Sequence, residues 1–145
     1  MALTVKKITL WRGEVEDRPG VLGKVLRPLA GAGADLQVVM GYHYHGGGNK
    51  AAIEVFPVKG KKAAAVAQGA GLGASSIPTL LVEGDNKAGL GAAMAQAIAE
   101  AGINVGFLVA QVIGRKFSAV IGFEDEAASR EAASLIKKAA RKLGK

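Results

Sequence analysis

Two similar turns hold the polar residues of this sequence that could bind a small charged molecule. The first reads DRPG and begins at Asp17, and the second reads DNKAG and begins at Asp85. In the first turn Asp17 is a candidate for a helix N-cap, Pro19 suits the first helical turn, and Gly20 lets other atoms approach the backbone. The same residues are sufficient to start a helix without any ligand. Because the turn occurs twice, the sequence predicts a repeated site.

Residues for covalent or metal chemistry are scarce outside these turns. The chain has no cysteine, which excludes disulfides, thiolate zinc sites and a cysteine nucleophile. His43 and His45 could join a metal site, but the sequence has no third histidine, so a glycine-rich hairpin is favoured. A nucleophile also needs an adjacent base and an orienting group. We therefore expect a protein that binds without catalysis: not an enzyme, with no metal and no cofactor.

Charge and hydropathy argue against two further classes of protein. The formal charge of +7 would suit a nucleic-acid binder, since Lys and Arg neutralise phosphates. However, the cations are spread over both halves, and only KKAARKLGK, from Lys137 to the end, is rich in them, as the last turn of a helix often is. No apolar run reaches the roughly 18 residues that cross a bilayer. We expect a cytoplasmic protein that binds neither membranes nor nucleic acid.

The two turns belong to an internal repeat. An interval of 69 residues separates Gly20 from Gly89, and the same interval separates Asp35 from Asn104. Segments with strand and helix periodicity follow one another in the order β-α-β-β-α within each copy. The sequence is therefore interpreted as a duplication.

The predicted elements are short and lie at similar places in both copies. Strands are expected at residues 8–15, 36–40, 51–58, 79–84, 105–113 and 117–123, and helices after each turn, near 61–68 and at 126–143. Pro28 lies within the first helix, where its ring would clash with a preceding carbonyl. We expect that helix to kink or to end early.

This order of elements predicts an α+β fold of ferredoxin-like βαββαβ sandwiches. We expect two tandem units, residues 1–74 and 75–145, with their sheets side by side and all four helices on one face. Between Gly71 and Asp85 the chain has room for the fourth strand of the first unit. The second unit is expected to lack its last strand, which leaves an open edge unless another chain covers it.

Both repeats resemble ACT domains, the small-ligand regulatory modules of amino-acid metabolism. The resemblance rests on the turn DRPGVLG with the helix end GAGADL, on their echoes NKAGLG and AGINV, and on the β-α-β-β-α order in tandem. It extends over roughly residues 6–140. It implies a stand-alone regulatory protein that binds an amino acid or a related metabolite between its two units.

The resemblance also implies which residues bind the ligand. They are Asp17, Arg18, Pro19, Gly20, Asp35, Asn86, Gly89 and Asn104. Asp17 and Gly20 would face Asn104, whereas Asn86 and Gly89 would face Asp35. An asparagine amide can both donate to and accept from the charged groups of an amino acid. Asp17 and Asp35 depart from the amide-rich pattern of the family, and their carboxylates are expected to repel the carboxylate of a ligand.

Assembly and partners follow from the uncovered faces of the sheets. Apolar residues such as Trp11, Phe107 and Val109 are expected on the face that the helices leave open, and soluble monomers rarely expose large apolar patches. We therefore expect a homodimer. An enzyme or a regulator that the sequence does not identify would respond to the ligand-bound state.

An RNA-binding module is the alternative. Such modules share this order of elements and carry their main motif on the third strand. The segment RKFSAVIGF begins like that motif, with a cation at Arg115 and an aromatic ring at Phe117. However, Lys116 replaces a glycine, and Ala119 and Gly122 replace the other two aromatic residues. Few rings remain on which bases could stack.

Overall fold

The computed structural model describes residues 3–44 and 48–144, which form two compact units. The strands are β1 (Leu3–Ile8), β2 (Trp11–Glu16), β3 (Val38–His43), β4 (Lys50–Phe56), β5 (Gly73–Ala74), β6 (Thr79–Asp85), β7 (Val105–Ile113) and β8 (Lys116–Phe123). The helices are α1 (Val21–Gly31), α2 (Gly60–Gly69), α3 (Leu90–Glu100) and α4 (Glu126–Leu143). Residues 9–76 form one unit, called the inserted unit below. β1 and residues 77–144 form the other, called the split unit.

The inserted unit has one antiparallel sheet in the order β3-β4-β2-β5. β4 lies between β3 and β2, and its Glu54 is opposite Met40 of β3 and Arg12 of β2. Successive side chains of a strand point to opposite faces of the sheet. Ile53 and Val55 therefore pack with α1 and α2, whereas Glu54 lies on the face away from these helices.

The core of the inserted unit explains how α1 is held over the sheet. Val25 and Leu29 lie one turn apart on α1, and both are buried against Ile53 and Val55 of β4. Ala67 of α2 completes this contact, because its small side chain lets the second helix approach. Burying a side chain of the size of valine or leucine contributes about 1.5–3 kcal/mol to the free energy of unfolding. This packing fixes the position at which α1 begins.

The split unit also has a four-stranded antiparallel sheet, in the order β1-β6-β8-β7. β1 pairs with β6 along its whole length. Leu3 and Val5 of β1 pack against the buried cluster beneath α3 and α4. Lys7 of β1 also places its Nζ 2.6 Å from Oε2 of Glu126, the first residue of α4. The N-terminal strand is thus an integral part of this unit.

This pairing corrects two sequence predictions. The sequence predicts one strand over residues 8–15, but the chain leaves β1 after Ile8 and starts β2 at Trp11, in the other unit. In the described chain no strand follows α4, as predicted, yet the edge beside β6 is paired with β1. An unpaired sheet edge accepts any strand that can satisfy its N–H and C=O groups. Residues 3–8 therefore belong with the second repeat and not, as predicted, with the first.

Two helices cover one face of the sheet in the split unit. Leu90, Met94 and Ile98 repeat at a spacing of four residues and form the buried face of α3. On α4, Ile136 lies between small buried residues that include Ala132. Because alanine side chains are short, α3 and α4 can both pack closely on the same sheet. The second turn, residues 86–89, is held in place by this packing at the start of α3.

The expected apolar residues of the open sheet faces divide into two groups. Phe107 and Val109 pair with Gly122 and Val120 on the face of the split unit that is opposite its helices, as predicted. Trp11 instead packs against the buried cluster of the inserted unit, since it shares its face with Val55 and not with Glu54. The prediction for Trp11 is therefore wrong.

Two further features concern the helices. α1 continues through Pro28 to Gly31, so the predicted early end at the proline is wrong, whereas the alternative of a kink stays a prediction. Pro28 has no N–H to donate to the carbonyl oxygen of Lys24, yet the helix continues for three more residues. None of the helices in the described ranges is long and apolar enough to span a bilayer.

Candidate functional site

The first turn, residues 17–20, begins α1 without the side-chain cap that the sequence predicts. Gly20 is the N-cap, with a left-handed φ of 88°, and no described side chain accepts a hydrogen bond from the amides at this end of α1. The Asp17 carboxylate instead lies 2.5 Å from the Nδ1 atom of His43 on β3. The prediction that Asp17 caps α1 is therefore wrong, because the histidine holds its side chain toward the sheet.

The first turn lines a pocket of about 290 Å³ within the inserted unit. Asp17, Arg18 and Gly20 line it from the turn, and Tyr42 and His43 line it from β3. The backbone N–H of Asp17 donates to the carbonyl oxygen of Asn49 at 3.0 Å, which ties the turn to the hairpin between β3 and β4. Three of the predicted site residues are therefore brought together around one cavity.

The charges around this pocket are of both signs. The N-terminal amides of α1 carry a partial positive charge, which favours an anion by about 0.3–1 kcal/mol. The Arg18 guanidinium is mostly exposed and lies 3.6 Å from Glu16. The Asp17 carboxylate is paired with His43. The pocket can therefore offer backbone donors and a guanidinium to an anionic group, and a carboxylate to a cationic one.

His43 is the residue of this pocket that sequence reasoning missed. The sequence predicts a glycine hairpin for His43 and His45, and His45 lies outside the described residues. His43 is the last residue of β3, the strand that follows α1. A histidine at this position can reach an acceptor in the turn that begins α1. Among residues 3–44 and 48–144 no group of three or more His, Cys, Asp or Glu side chains could hold a metal ion.

The residues that follow α1 line a separate pocket of the inserted unit. Gly33 adopts a left-handed φ of 83° after the helix, and Asp35 follows as an exposed residue. Asp35 lines a second pocket of about 280 Å³, together with Gln37 and Lys59. Asp17 does not line this pocket. The two predicted aspartates therefore belong to different cavities of one unit.

The second turn has the same backbone form as the first but different neighbours. Gly89 is the N-cap of α3 with a φ of 89°, and the backbone N–H of Asn86 donates to the carbonyl oxygen of Arg115 at 2.8 Å. The Nζ atom of Lys87 donates to the carbonyl oxygen of Leu143 at 2.5 Å. A Cβ added at Gly89 would lie 4.0 Å from the Leu143 side chain. The end of α4 thus lies against this turn, and the two turns are not equivalent.

An exposed ion pair adjoins the second turn. The Nζ atom of Lys116 donates to the Asp85 carboxylate at the end of β6. This hydrogen bond and the positive charge of Lys116 lower the pKa of Asp85 below its usual value. Asp85 therefore remains ionised at neutral pH and is already partnered.

Asn104 follows the exit of α3 in the split unit. It is exposed, and Gly102 before it adopts a left-handed φ of 74°. This is the same backbone form as at Gly33, so the repeated helix exit predicted from the sequence is present in both units. Because Asp17 and Asn104 belong to different units, the pairing of each turn with the helix exit of the other unit stays a prediction.

The RNA-binding alternative depends on an exposed aromatic ring on β8. Phe117 is only 5% exposed, and it packs in the core beneath α3 and α4. A ring in that position cannot stack on a base without opening the core. Phe117, on which the RNA-binding alternative depended, is therefore part of the hydrophobic core.

Comparison with solved structures identifies proteins of similar fold. No protein-family profile and no curated protein matches the sequence. A protein from Bacteroides thetaiotaomicron has a TM-score of 0.71 at 14% identity, over 91% of this chain and 88% of its own. The ligand-free regulatory subunit of aspartate kinase from Thermus thermophilus has a TM-score of 0.63 at 18% identity, over 100% and 98%. That from Thermus flavus has a TM-score of 0.61 at 19% identity, over 97% of each chain. The chain therefore has the tandem α+β fold of the aspartate kinase regulatory subunits, which confirms the ACT-domain fold expected from its glycine turns.

Proposed function

We propose that the chain is a non-catalytic regulatory protein that binds an amino acid or a related small metabolite at the first turn. The observation that carries this proposal is the pocket of about 290 Å³ that the turn shares with Tyr42 and His43. Its volume is just below the range for ligand pockets, about 300–1,000 Å³, and suits a small metabolite. The similarity in fold to aspartate kinase regulatory subunits supports a regulatory role.

The polar groups of the pocket match the two charges of an α-amino acid. The ligand carboxylate would accept hydrogen bonds from the first amides of α1, with Arg18 nearby. The ligand ammonium would be attracted by the Asp17 carboxylate, which His43 holds in place. The expected repulsion between Asp17 and the ligand carboxylate is reduced in this arrangement, because the two carboxylates bind different partners. Leu22 supplies an apolar wall for a short side chain.

Magnitudes show how many contacts this function requires. The helix dipole contributes about 0.3–1 kcal/mol, whereas a dissociation constant between millimolar and micromolar corresponds to about 4–8 kcal/mol. Hydrogen bonds to charged groups add about 1.5–3 kcal/mol each. Two or three such bonds at the turn are therefore sufficient for a metabolite sensor. The helix-exit residues Asp35 and Asn104 would add further bonds if the units pair as the resemblance implies.

The test begins with a thermal-shift screen of the twenty amino acids, followed by calorimetry on the ligand that stabilises the protein most. Gly20→Leu fills the pocket, so we expect at least a tenfold weaker affinity for that ligand. Gly60→Leu is the matched control, since Gly60 has a similar φ of 84°, begins α2 and faces open space in the described structure. Both variants carry about 1–2 kcal/mol of backbone strain, but only Gly20→Leu lies in the site.

A second arm of the same calorimetry tests the helix exit. Asn104→Ala should weaken the ligand by about 0.5–1.5 kcal/mol for each neutral hydrogen bond that is lost. Unchanged affinity in Asn104→Ala alone would restrict the site to the inserted unit. Equal affinity in the wild type, Gly20→Leu and Asn104→Ala, with folding preserved, would leave the turns as helix starts only.

A further inference from the structure

A buried carboxylate lies on the face of the inserted sheet that is opposite α1 and α2. Glu54 is 1% exposed, in the middle of β4. Its Oε2 atom accepts a hydrogen bond of 2.8 Å from the hydroxyl of Tyr42. Its Oε1 atom is buried and has no hydrogen-bond partner in the described part of the chain. Buried polar atoms are nearly always partnered in native proteins, so this oxygen points to a group that the protein chain does not supply.

The cation that lies nearest along the sheet interacts with the charge of Glu54 but hydrogen-bonds to the tyrosines. Arg12 is directly opposite Glu54 on β2, yet its guanidinium donates to the hydroxyl of Tyr44 and lies 3.5 Å from Glu14. The hydroxyl of Tyr44 also donates to Glu14 at 3.2 Å. This cluster therefore contains one guanidinium, that of Arg12, and two carboxylates, those of Glu14 and Glu54. A single positive charge near Glu54 would balance them.

The Tyr42 hydroxyl and the Arg12 guanidinium keep these roles at neutral pH. Burial, and then the hydrogen bond to Glu54, raise the pKa of Tyr42 above its usual value. Burial alone would lower the pKa of Arg12, but hydrogen bonding and the negative charges nearby raise it overall. Tyr42 therefore continues to donate to Glu54, and Arg12 stays charged. Neither group can turn into the missing donor for Oε1 by changing its protonation state.

The surrounding side chains indicate the chemical class of the missing group. The rings of Tyr42 and Tyr44 have centroids 6.0 Å apart at an angle of 59°, and aromatic faces attract cations. Tyr42 is 42% exposed and the Glu14 side chain 57%, so a small molecule can approach the cluster from this side. A divalent metal ion would need more anionic ligands and would lie beside Arg12. A singly charged group that carries N–H donors fits better.

We propose that Glu54, with Tyr42, Tyr44 and Glu14, forms a binding site for the primary ammonium group of a small ligand. In this site Oε1 of Glu54 accepts an ammonium N–H, Glu14 supplies the second carboxylate, and the two rings cover the alkyl part. The site lies on the helix-free face and shares with the first turn only Tyr42, which lines the pocket there. It is therefore independent of the proposed function, and either can be wrong without the other.

The experiment uses the full chain and ethylammonium chloride as the probe. Tyr42 and Tyr44 are the only tyrosines of the sequence, so the ring signals of tyrosine-labelled protein report on this cluster, and those of Tyr44 do so apart from the first-turn pocket. We expect saturable shifts of both rings with ethylammonium, and much smaller ones with tetramethylammonium, which has the same charge but no N–H donor. Sodium chloride at equal ionic strength corrects for screening.

Two variants assign the response to Glu54. Glu54→Gln keeps the shape but removes the charge, and should weaken ethylammonium at least tenfold. Glu131→Gln makes the same change at an exposed position of α4 and should leave the response unchanged. Equal shifts with ethylammonium and tetramethylammonium, or none up to about 100 mM, a hundredfold above a millimolar dissociation constant, would overturn the proposal and leave Oε1 to an internal water. If Glu54→Gln does not fold, the comparison of the two cations in the wild type decides.

Discussion

At the scale of single residues, Gly13 of β2 shows most clearly where the fold tolerates no side chain. A Cβ added at Gly13 would lie 2.6 Å from the carbonyl oxygen of Gly71 and 2.8 Å from the Leu72 side chain. The nearer atom belongs to the backbone, so it cannot turn away as a flexible side chain would. We expect Gly13→Ala to lower the free energy of unfolding by about 1–3 kcal/mol, as overpacking does.

Gly23 provides the control for this substitution. It lies on α1 in the same unit, and a Cβ there would face open space in the described structure. Gly23→Ala should raise the free energy of unfolding by about 0.5–1 kcal/mol, because alanine loses less conformational freedom in a helix. Urea unfolding of the two variants and the wild type measures both effects. A Gly13→Ala protein as stable as Gly23→Ala would contradict the close approach of Gly71.

At the scale of elements, β1 decides which part of the chain the N-terminus stabilises. Val5 packs into the core of the split unit, whereas the neighbouring Thr4 is exposed on the other face of the strand. Val5→Ala removes two partly buried methyl groups and should lower the free energy of unfolding by about 1–1.5 kcal/mol. Thr4→Ala should change it by less than about 0.5 kcal/mol.

Amide hydrogen exchange measures which elements Val5→Ala destabilises. Amides of β6, which pairs with β1, and of α4, which packs on it, should exchange faster than in the wild type. Amides of β3 and β4 in the inserted unit should keep their protection, since β1 is no part of that sheet. If β3 and β4 lost protection while β6 kept it, residues 3–8 would pair with the sheet of the first repeat, and the assignment of β1 to the split unit would be wrong.

At the scale of the whole molecule, β7 is the surface that we propose for self-association. It is an edge strand of nine residues, VGFLVAQVI, with neither charge nor proline. Leu108, Val109, Val112 and Ile113 are 44–68% exposed. Such an apolar edge tends to pair with another chain. We expect sedimentation at micromolar concentrations to show a homodimer, because soluble monomers rarely expose large apolar patches.

Two substitutions of equal charge test this surface. Val109→Lys would place an unpaired ammonium in the interface, and should weaken the dimer at least about tenfold, or 1.4 kcal/mol. Ala127→Lys adds the same charge at an exposed position of α4 and should not change the dimer. Sedimentation of all three proteins over a concentration series measures the dissociation constants. A monomeric wild type, or a dimer unaffected by Val109→Lys, would remove this proposal.

Much of the fold could be predicted because it depends on local physics. Helical spacing places Leu90, Met94, Ala97 and Ile98 on one face of α3. All but Ala97, which is half-buried, are buried in the core. The glycines at the starts and exits of α1 and α3 adopt left-handed φ values, a conformation that L-residues with a Cβ rarely adopt. The repeat interval of 69 residues therefore predicts the same backbone form twice, and Gly20 and Gly89 have φ values of 88° and 89°.

The composition of the candidate site was less predictable. The sequence brings Asp17, Arg18 and Gly20 together because they are neighbours in one turn. It does not show that His43 lies 2.5 Å from Asp17, since 26 residues separate the two along the chain. An aspartate before a helix is most simply a cap, and only a competing partner in space draws it away.

The sequence by itself thus determined the two helix starts, the order of elements and the α+β class, because each depends on residues within a few positions of one another. Only the tertiary structure decided that β1 joins the sheet of the split unit, that α4 ends against the second turn, and that Glu54 is buried opposite Arg12. The physical reason is common to all three. Strand pairing and burial depend on which distant segments meet, and a local pattern specifies that a strand needs a partner without specifying which one.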